Sequence, residues 1–196
     1  MRSLSPTDGA HDLIRFDKPG TLGHTLDRTE RVDRDLQDSE SIPEALGYLT
    51  HGVYVLGSRR GREVTAMAAA WVTQASERPP CVAVAVRDDR YTRDIVAESS
   101  VFSLSILRED QVNVATYFGD TSGEYHDKFQ GLPYGKTPAG APFLLDCLAY
   151  LDCRVMDTVR AGDHTVFVGE VTASETLYTD EPQLIYDPDE YEEALN

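Results

Sequence analysis

The chain has few basic residues. Its 196 residues include 18 Lys and Arg against 34 Asp and Glu, which gives a formal net charge of −16 at pH 7. Only Lys18, Lys128 and Lys136 are lysines. Binding to a nucleic-acid backbone or an anionic lipid surface needs a basic footprint, so we expect no nucleic-acid partner and no membrane partner. The excess of acid also favours adaptation to high salt, where charge repulsion is screened.

Cysteines and long apolar runs are also scarce. Cys81, Cys147 and Cys153 are an odd number without C-x-x-C spacing, which predicts three core thiols rather than a disulfide scaffold or a zinc site. The five histidines lack metal-ligand spacing, so we expect no metal. No stretch approaches the roughly 18 apolar residues of a membrane span, and the N-terminus lacks the apolar region of a secretory signal. These features predict a cytoplasmic protein.

Motifs of several common enzyme classes are missing. Residues 131–137 resemble a nucleotide phosphate loop, but three residues separate the glycines where four are needed. Pro138 also prevents the helix that should follow. The chain has no G-x-G-x-x-G, no G-x-S-x-G and no H-E-x-x-H. The sequence therefore argues against a nucleotide hydrolase, a Rossmann dehydrogenase, a serine hydrolase and a zinc protease.

The sequence predicts three regions. Residues 1–40 have sparse apolar residues and alternating charges, which indicates an extension that is partly disordered or draped over a dimer. The compact domain spans residues 41–178 and opens with Ser41 and Glu44, a capping-box pair before a short helix. Residues 179–196 are predicted to be a solvated acidic tail, because the chain from Glu170 onward has nine acidic residues and no basic ones.

Strand patterns dominate the compact domain. Residues 51–58 and 62–69 flank a turn and predict a hairpin, and further strands are predicted over 81–87, 101–107, 147–155 and 163–177. Helices are predicted over 91–100 and 109–118, and residues 119–142 read as a long irregular segment. Closely spaced strands with two or three short helices predict a mainly β protein, a small barrel rather than a parallel sheet.

Four segments carry side chains suited to a flat, phosphorylated ligand. The first is residues 65–80, where Ala68 and Ala69 precede the single tryptophan, Trp71. Small side chains let a backbone approach a flat ring closely, although a tightly packed buried strand would have the same pattern. The polar side chains that could bind the edge of such a ring follow in a short run, Thr73, Gln74 and Ser76, around Ala75.

Two further segments supply cations. Arg90, Tyr91 and Thr92 stand at the start of a predicted helix, where an arginine group favours a phosphate site and where ordinary surface charge is the alternative. Lys128 stands beside Phe129, a cation next to a ring, although Phe129 could equally be a core residue.

The fourth segment contains His164. It follows the glycine turn at Gly162, at the start of a predicted strand, which places it on an exposed rim. A neutral imidazole there could donate a hydrogen bond to an amide, but a lone histidine in this position is more often a turn residue.

Together, the four segments resemble the flavin reductase family of FMN-binding split β-barrels. The motifs are TAMAAAWVTQASERPPCVAVAV, RYTRDIV, HDKF and AGDHTVFVGEV, and the resemblance covers roughly Ile42 to Leu177. The version with Trp71 is similar to the flavoredoxin-like branch and to the flavin reductase modules of diflavin proteins. The resemblance implies a Greek-key split barrel, a homodimer, FMN rather than FAD near the subunit interface, and NADH or NADPH as hydride donor.

The resemblance also implies a role for each residue. The segment from Ala68 to Ser76 would contact the isoalloxazine and ribityl groups. Lys128, with Arg90, Tyr91 and Thr92, would hold the phosphate, and Phe129 would lie near the ring. His164 would be the catalytic residue placed by the nicotinamide.

Three functions remain open on the sequence. The first is an NAD(P)H:flavin oxidoreductase that supplies reduced flavin to a monooxygenase or another acceptor. The second is a non-enzymatic flavoredoxin-type carrier, in which bound FMN shuttles electrons between proteins, and an acidic surface suits a basic partner. The third is a flavin-binding module with little turnover.

Overall fold

The computed structural model describes residues 44–125 and 127–187. The chain divides after Leu46, and the fold is that of the second unit, which begins at Gly47. No helix in the described ranges is long and apolar enough to cross a lipid bilayer. The strands are β1 (Tyr54–Arg60), β2 (Glu63–Ala69), β3 (Val72–Glu77), β4 (Pro80–Arg87), β5 (Val101–Ile106), β6 (Tyr134–Lys136), β7 (Pro142–Leu144), β8 (Ala149–Ala161) and β9 (His164–Thr176), and the α-helices are α1 (Tyr91–Ser99) and α2 (Val112–Asp120), with 3₁₀ helices at Glu44–Tyr48 and Glu109–Gln111.

Seven strands form one antiparallel sheet in the order β2-β1-β5-β8-β9-β4-β3. The outermost strands, β2 and β3, are joined only by Ala70 and Trp71. Three residue steps reach no more than about 10 Å, so the ends of the two outer strands must lie close together and the sheet must curl. Consecutive strands β4 and β5 lie on opposite sides of the β8–β9 pair, a Greek-key type of connection. The predicted mainly β barrel is confirmed.

The interior holds two apolar clusters. One contains Phe102 of β5 and Phe167 of β9, and the other contains Phe118 of α2. The three cysteines are free and buried, as the sequence predicts. Burial raises the pKa of the Cys147 thiol to about 11 and that of Cys153 to about 12, so both stay protonated at neutral pH.

The two predicted helices form, but the second is divided. Helix α1 buries Ile95 and Val96, as expected. Residues 109–111 are a 3₁₀ turn, and α2 begins only at Val112. Gln111 lies at this break, and its side chain accepts a hydrogen bond from the Arg108 amide at 2.9 Å and donates one to the Asp146 carbonyl at 2.7 Å.

The segment predicted to be irregular contains a short hairpin of β6 and β7. The buried carboxylate of Asp152 ties the turn between these strands to the barrel. It accepts hydrogen bonds from the Thr137 hydroxyl at 2.6 Å and from the Ala139 amide at 2.9 Å. The turn of this hairpin is therefore hydrogen-bonded to an acid that the sequence places in a different strand.

The segment after Tyr178 corrects the prediction of a solvated tail. Leu184 is only 1 % exposed and lies in the core cluster with Phe118. Its amide donates to the Leu107 carbonyl and its carbonyl accepts from the Val53 amide, both at 2.9 Å. The tail prediction is wrong for this stretch because its acidic composition conceals one core leucine. The rest of the predicted tail, from residue 188, and the N-terminal extension lie outside the described residues.

Candidate flavin and nicotinamide site

Trp71 and His164 form a stacked aromatic pair. Trp71 lies in the two-residue crossing between β2 and β3, and His164 is the first residue of β9. Their ring centroids are 4.6 Å apart and the ring planes differ by 27°. The indole remains 48 % exposed. The fold thus joins two residues that the sequence assigns to separate ligands.

Asp163 holds the edge of the same imidazole. His164 Nδ1 lies 2.7 Å from the Asp163 carboxylate Oδ1. The hydrogen bond from His164 is the main reason why the pKa of Asp163 lies below its ordinary value. Sequence reasoning missed Asp163, although its position directly before His164 in a glycine turn could have indicated it.

The polar run that follows Trp71 lies on the edge strand β3. Thr73, Gln74 and Ala75 are exposed, and a bulge separates Gln74 from Ser76. In the described part of the chain, β3 pairs only with β4, so the other side of its main chain is open. By contrast, Ala69 in β2 is 8 % exposed. The sequence allowed either a tightly packed strand or a ligand-contacting segment here. The small residues of β2 are packed, and the polar residues of β3 face outward.

Arg90 and Lys128 converge on the C-terminal end of α2. The Lys128 Nζ donates to the Phe118 carbonyl at 2.9 Å, and an Arg90 guanidinium nitrogen donates to the Gly119 carbonyl at 3.2 Å. Lys128 is only 4 % exposed. Burial, and secondly the charge of Arg90, lowers the pKa of Lys128 to about 8. No carboxylate among the described residues forms an ion pair with either cation.

Small residues bring β2 against this helix end. A Cβ placed at Gly119 would lie 3.8 Å from the Cβ of Ala68, and one placed at Gly123 would collide with the Thr65 hydroxyl. The hydroxyls of Thr65 and Thr92 lie 3.3 Å apart, and both residues are 2 % exposed. The small-residue strand and the two cations thus belong to one part of the molecule.

Two of the predicted ligand residues make other contacts. The Tyr91 hydroxyl accepts a hydrogen bond from Arg60 at 2.8 Å and donates one to Glu63, which raises the Tyr91 pKa. Phe129 is 4 % exposed, with ring centroids 5.7 Å from Phe118 and 4.5 Å from Tyr134. The structure therefore places Phe129 in the core, the alternative that its sequence context left open.

Comparison with known proteins identifies the family. The sequence model of one protein family, described as the flavin reductase like domain, matches residues 46–195 of this chain. A high molecular weight rubredoxin from Moorella thermoacetica is 35% identical over 141 residues, 71% of this chain and 62% of that protein. A putative diflavin flavoprotein A 3 from Nostoc is 31% identical over 180 residues, 88% of this chain and 31% of that protein.

The chain therefore spans less than two thirds of the length of these curated relatives. Among solved structures, an FMN-binding protein from Thermus thermophilus with bound 1-cyclohex-2-enone has a TM-score of 0.66 and 28% identity, over 70% of this chain and 77% of that one. The family model alone covers well over half of the sequence, and the relatives and the fold agree with it. The chain belongs to the flavin reductase-like domain family.

Proposed function

We propose that the protein binds FMN and acts as an NAD(P)H:flavin oxidoreductase that passes electrons to an acceptor. The observation that carries this proposal is the pairing of Lys128 with Arg90. Two like charges converge, one of them almost fully buried, and neither has a carboxylate partner among the described residues. A phosphate between them would relieve the repulsion and the desolvation together.

The residues around the two cations suit FMN. Lys128 uses one of its three donors on the Phe118 carbonyl, which leaves donors for an anion. Ala68 and Gly119, which lie near the two cations, have little or no side chain and so leave room for a ligand. The exposed hydroxyls and amides of β3 suit the ribityl chain and the polar edge of the isoalloxazine. Thr92 and Tyr91 contribute less than the resemblance implies, because their hydroxyls already have protein partners.

The chemistry proposed here places few demands on the protein. Bound FMN would supply hydride acceptance from NADH or NADPH and onward electron transfer. His164 and Trp71 would hold the nicotinamide, and no strong acid, base or nucleophile is needed. Holding two reactants in the reacting orientation can lower the activation barrier by several kcal/mol, and by about 7–11 kcal/mol in favourable cases.

The proposal includes a homodimer and a redox partner. In one chain the outer edge of β3 is open among the described residues, and a second copy beside it would help to exclude water from hydride transfer. A monooxygenase, or another protein that consumes reduced flavin, would be the acceptor, in the cytoplasm. Light scattering of the eluting protein tests the dimer, and a monomeric mass with FMN bound would contradict it.

An anaerobic spectrum tests the activity. The purified protein should be yellow, and NADH or NADPH, added separately, should bleach it rapidly and reduce added free FMN over many turnovers. A protein that binds no flavin would contradict the proposal, as would one that binds flavin but is bleached by neither nucleotide.

The second candidate is a flavoredoxin-type carrier in which FMN remains bound. The net charge of −16 suits docking of a basic protein, and the relative from Moorella is named as a rubredoxin. The same experiment separates the two functions. Bleaching by a reduced protein donor, and by neither nucleotide, is expected only of the carrier.

A further inference from the structure

Two neighbours hold His164 in one orientation. One face of its imidazole stacks on the Trp71 indole at 4.6 Å, and Nδ1 lies 2.7 Å from the Asp163 carboxylate. The main chain of Asp163 is fixed in turn, because its carbonyl accepts a hydrogen bond from the Asp88 amide at 2.9 Å. A ring that is stacked on one face and hydrogen-bonded at one edge presents its other nitrogen, Nε2, in a defined direction.

The charge of Asp163 decides which nitrogen carries the hydrogen. An ionised carboxylate can only accept hydrogen bonds, so Nδ1 must be the donor. In the neutral ring, Nε2 then has a lone pair and no hydrogen. Within residues 44–125 and 127–187, no protein group forms a hydrogen bond with Nε2. The His164 side chain is partly exposed, at 14%, and a ligand can supply the partner that Nε2 lacks.

We propose that Asp163 and Trp71 position His164 as a hydrogen-bond acceptor, so that the site selects a nicotinamide through the N–H of its primary carboxamide. The inference rests on the proposed function, which brings a reduced nicotinamide to His164. It reverses the direction expected from the sequence, in which the imidazole donates. Asp163 does not touch the substrate in this scheme and is a positioning residue.

Reduced dinucleotides with an altered carboxamide test this selection. The thionicotinamide form keeps the amino group, whereas the 3-acetylpyridine form has a methyl group in its place. We expect the ratio of the KM for the acetylpyridine form to the KM for the thionicotinamide form to be about fivefold lower in His164→Leu than in the wild type, as for loss of one hydrogen bond. Intrinsic differences between the analogues affect both proteins equally and cancel in this cycle.

A second variant isolates the positioning role of Asp163. In Asp163→Asn, the amide can accept from Nδ1 or donate to it, so both tautomers of His164 become available. We expect the KM ratio of this variant to lie between the two, about twofold above that of His164→Leu. Asp180→Asn removes the same charge from an exposed position and should keep the wild-type ratio. An unchanged ratio in Asp163→Asn would overturn the positioning role.

The tautomer can be measured without activity. Long-range ¹H–¹⁵N spectra of cofactor-free protein distinguish Nδ1–H from Nε2–H, and His164→Leu identifies the signal by its loss. The wild type should show Nδ1–H, and Asp163→Asn a mixture. An Nε2–H tautomer in the wild type would overturn the inference whether or not the enzyme works. An Nδ1–H tautomer without any hydride transfer would instead refute the proposed function, and the carboxamide selectivity with it.

Discussion

The two candidate ligand-binding pairs differ in how the fold holds them. Trp71 and His164 are held by stacking at an open rim, and Trp71 is 48 % exposed. Lys128 and Arg90 are held by main-chain carbonyls at a helix end, and Lys128 is 4 % exposed. An exposed aromatic pair can exchange a substrate at every turnover. A buried cation suits a ligand that stays bound.

Loss of the buried cation should have the largest effect. Lys128→Met removes a charge-assisted hydrogen bond to phosphate, worth about 1.5–3 kcal/mol, so the FMN dissociation constant should rise about 10- to 100-fold. Affinity for riboflavin, which lacks the phosphate, should not change. Fluorescence titration measures both constants.

The matched control is Lys136→Met, which removes the same charge from an exposed strand. It should bind FMN as the wild type does. Equal weakening of FMN and riboflavin in Lys128→Met would mean that the variant damages the fold rather than the phosphate site.

A substitution in the Trp71–His164 pair should change the rate of flavin reduction rather than the affinity for FMN. His164→Ala should lower the rate of flavin reduction by NAD(P)H about tenfold, because the nicotinamide loses its orienting contact, and should leave the FMN dissociation constant unchanged. Stopped-flow bleaching of the bound flavin measures the rate. Wild-type bleaching in this variant would remove His164 from the mechanism.

The burial of Lys128 also predicts how stability and FMN affinity depend on pH. Lys128 has a pKa of about 8 in the fold against 10.5 in the unfolded chain, so between these values the unfolded chain binds more protons. The free energy of unfolding of the cofactor-free protein should therefore rise from about pH 8 to about pH 10.5. FMN affinity should fall over the same range, because a neutral amine binds phosphate more weakly.

Denaturant unfolding and FMN titration at several pH values measure the two trends. Other groups titrate in this range, so the comparison is the difference between the wild type and Lys128→Met. Both differences should be independent of pH if Lys128 remains charged throughout the range.

The smallest effect concerns the net negative charge of the chain as a whole. Raising the salt concentration from low to about 1 M should screen repulsion within a chain of net charge −16 and raise the melting temperature by about 2–4 °C. Calorimetry measures this directly. A constant or lower melting temperature would argue against salt adaptation.

Local patterns in the sequence predicted much of the fold. The β1–β2 hairpin, the strand over residues 81–87 and helix α1 each follow from short-range periodicity and turn residues. The break at Gln111 and the core position of Leu184 did not follow, because both depend on partners far away in the chain. The same limit applies to the site: Phe129 contacts Tyr134 and Phe118 in the core, and Trp71 meets His164, only through the fold.

The sequence by itself determined the strand content, the family resemblance and the identity of the cations and rings that could bind a phosphorylated flavin. It did so because turn chemistry, alternation and motif order are local properties. Tertiary structure decided that Lys128 is buried beside Arg90 and that Trp71 covers His164. Burial and stacking depend on which distant segments meet when the sheet curls, and no local pattern encodes that.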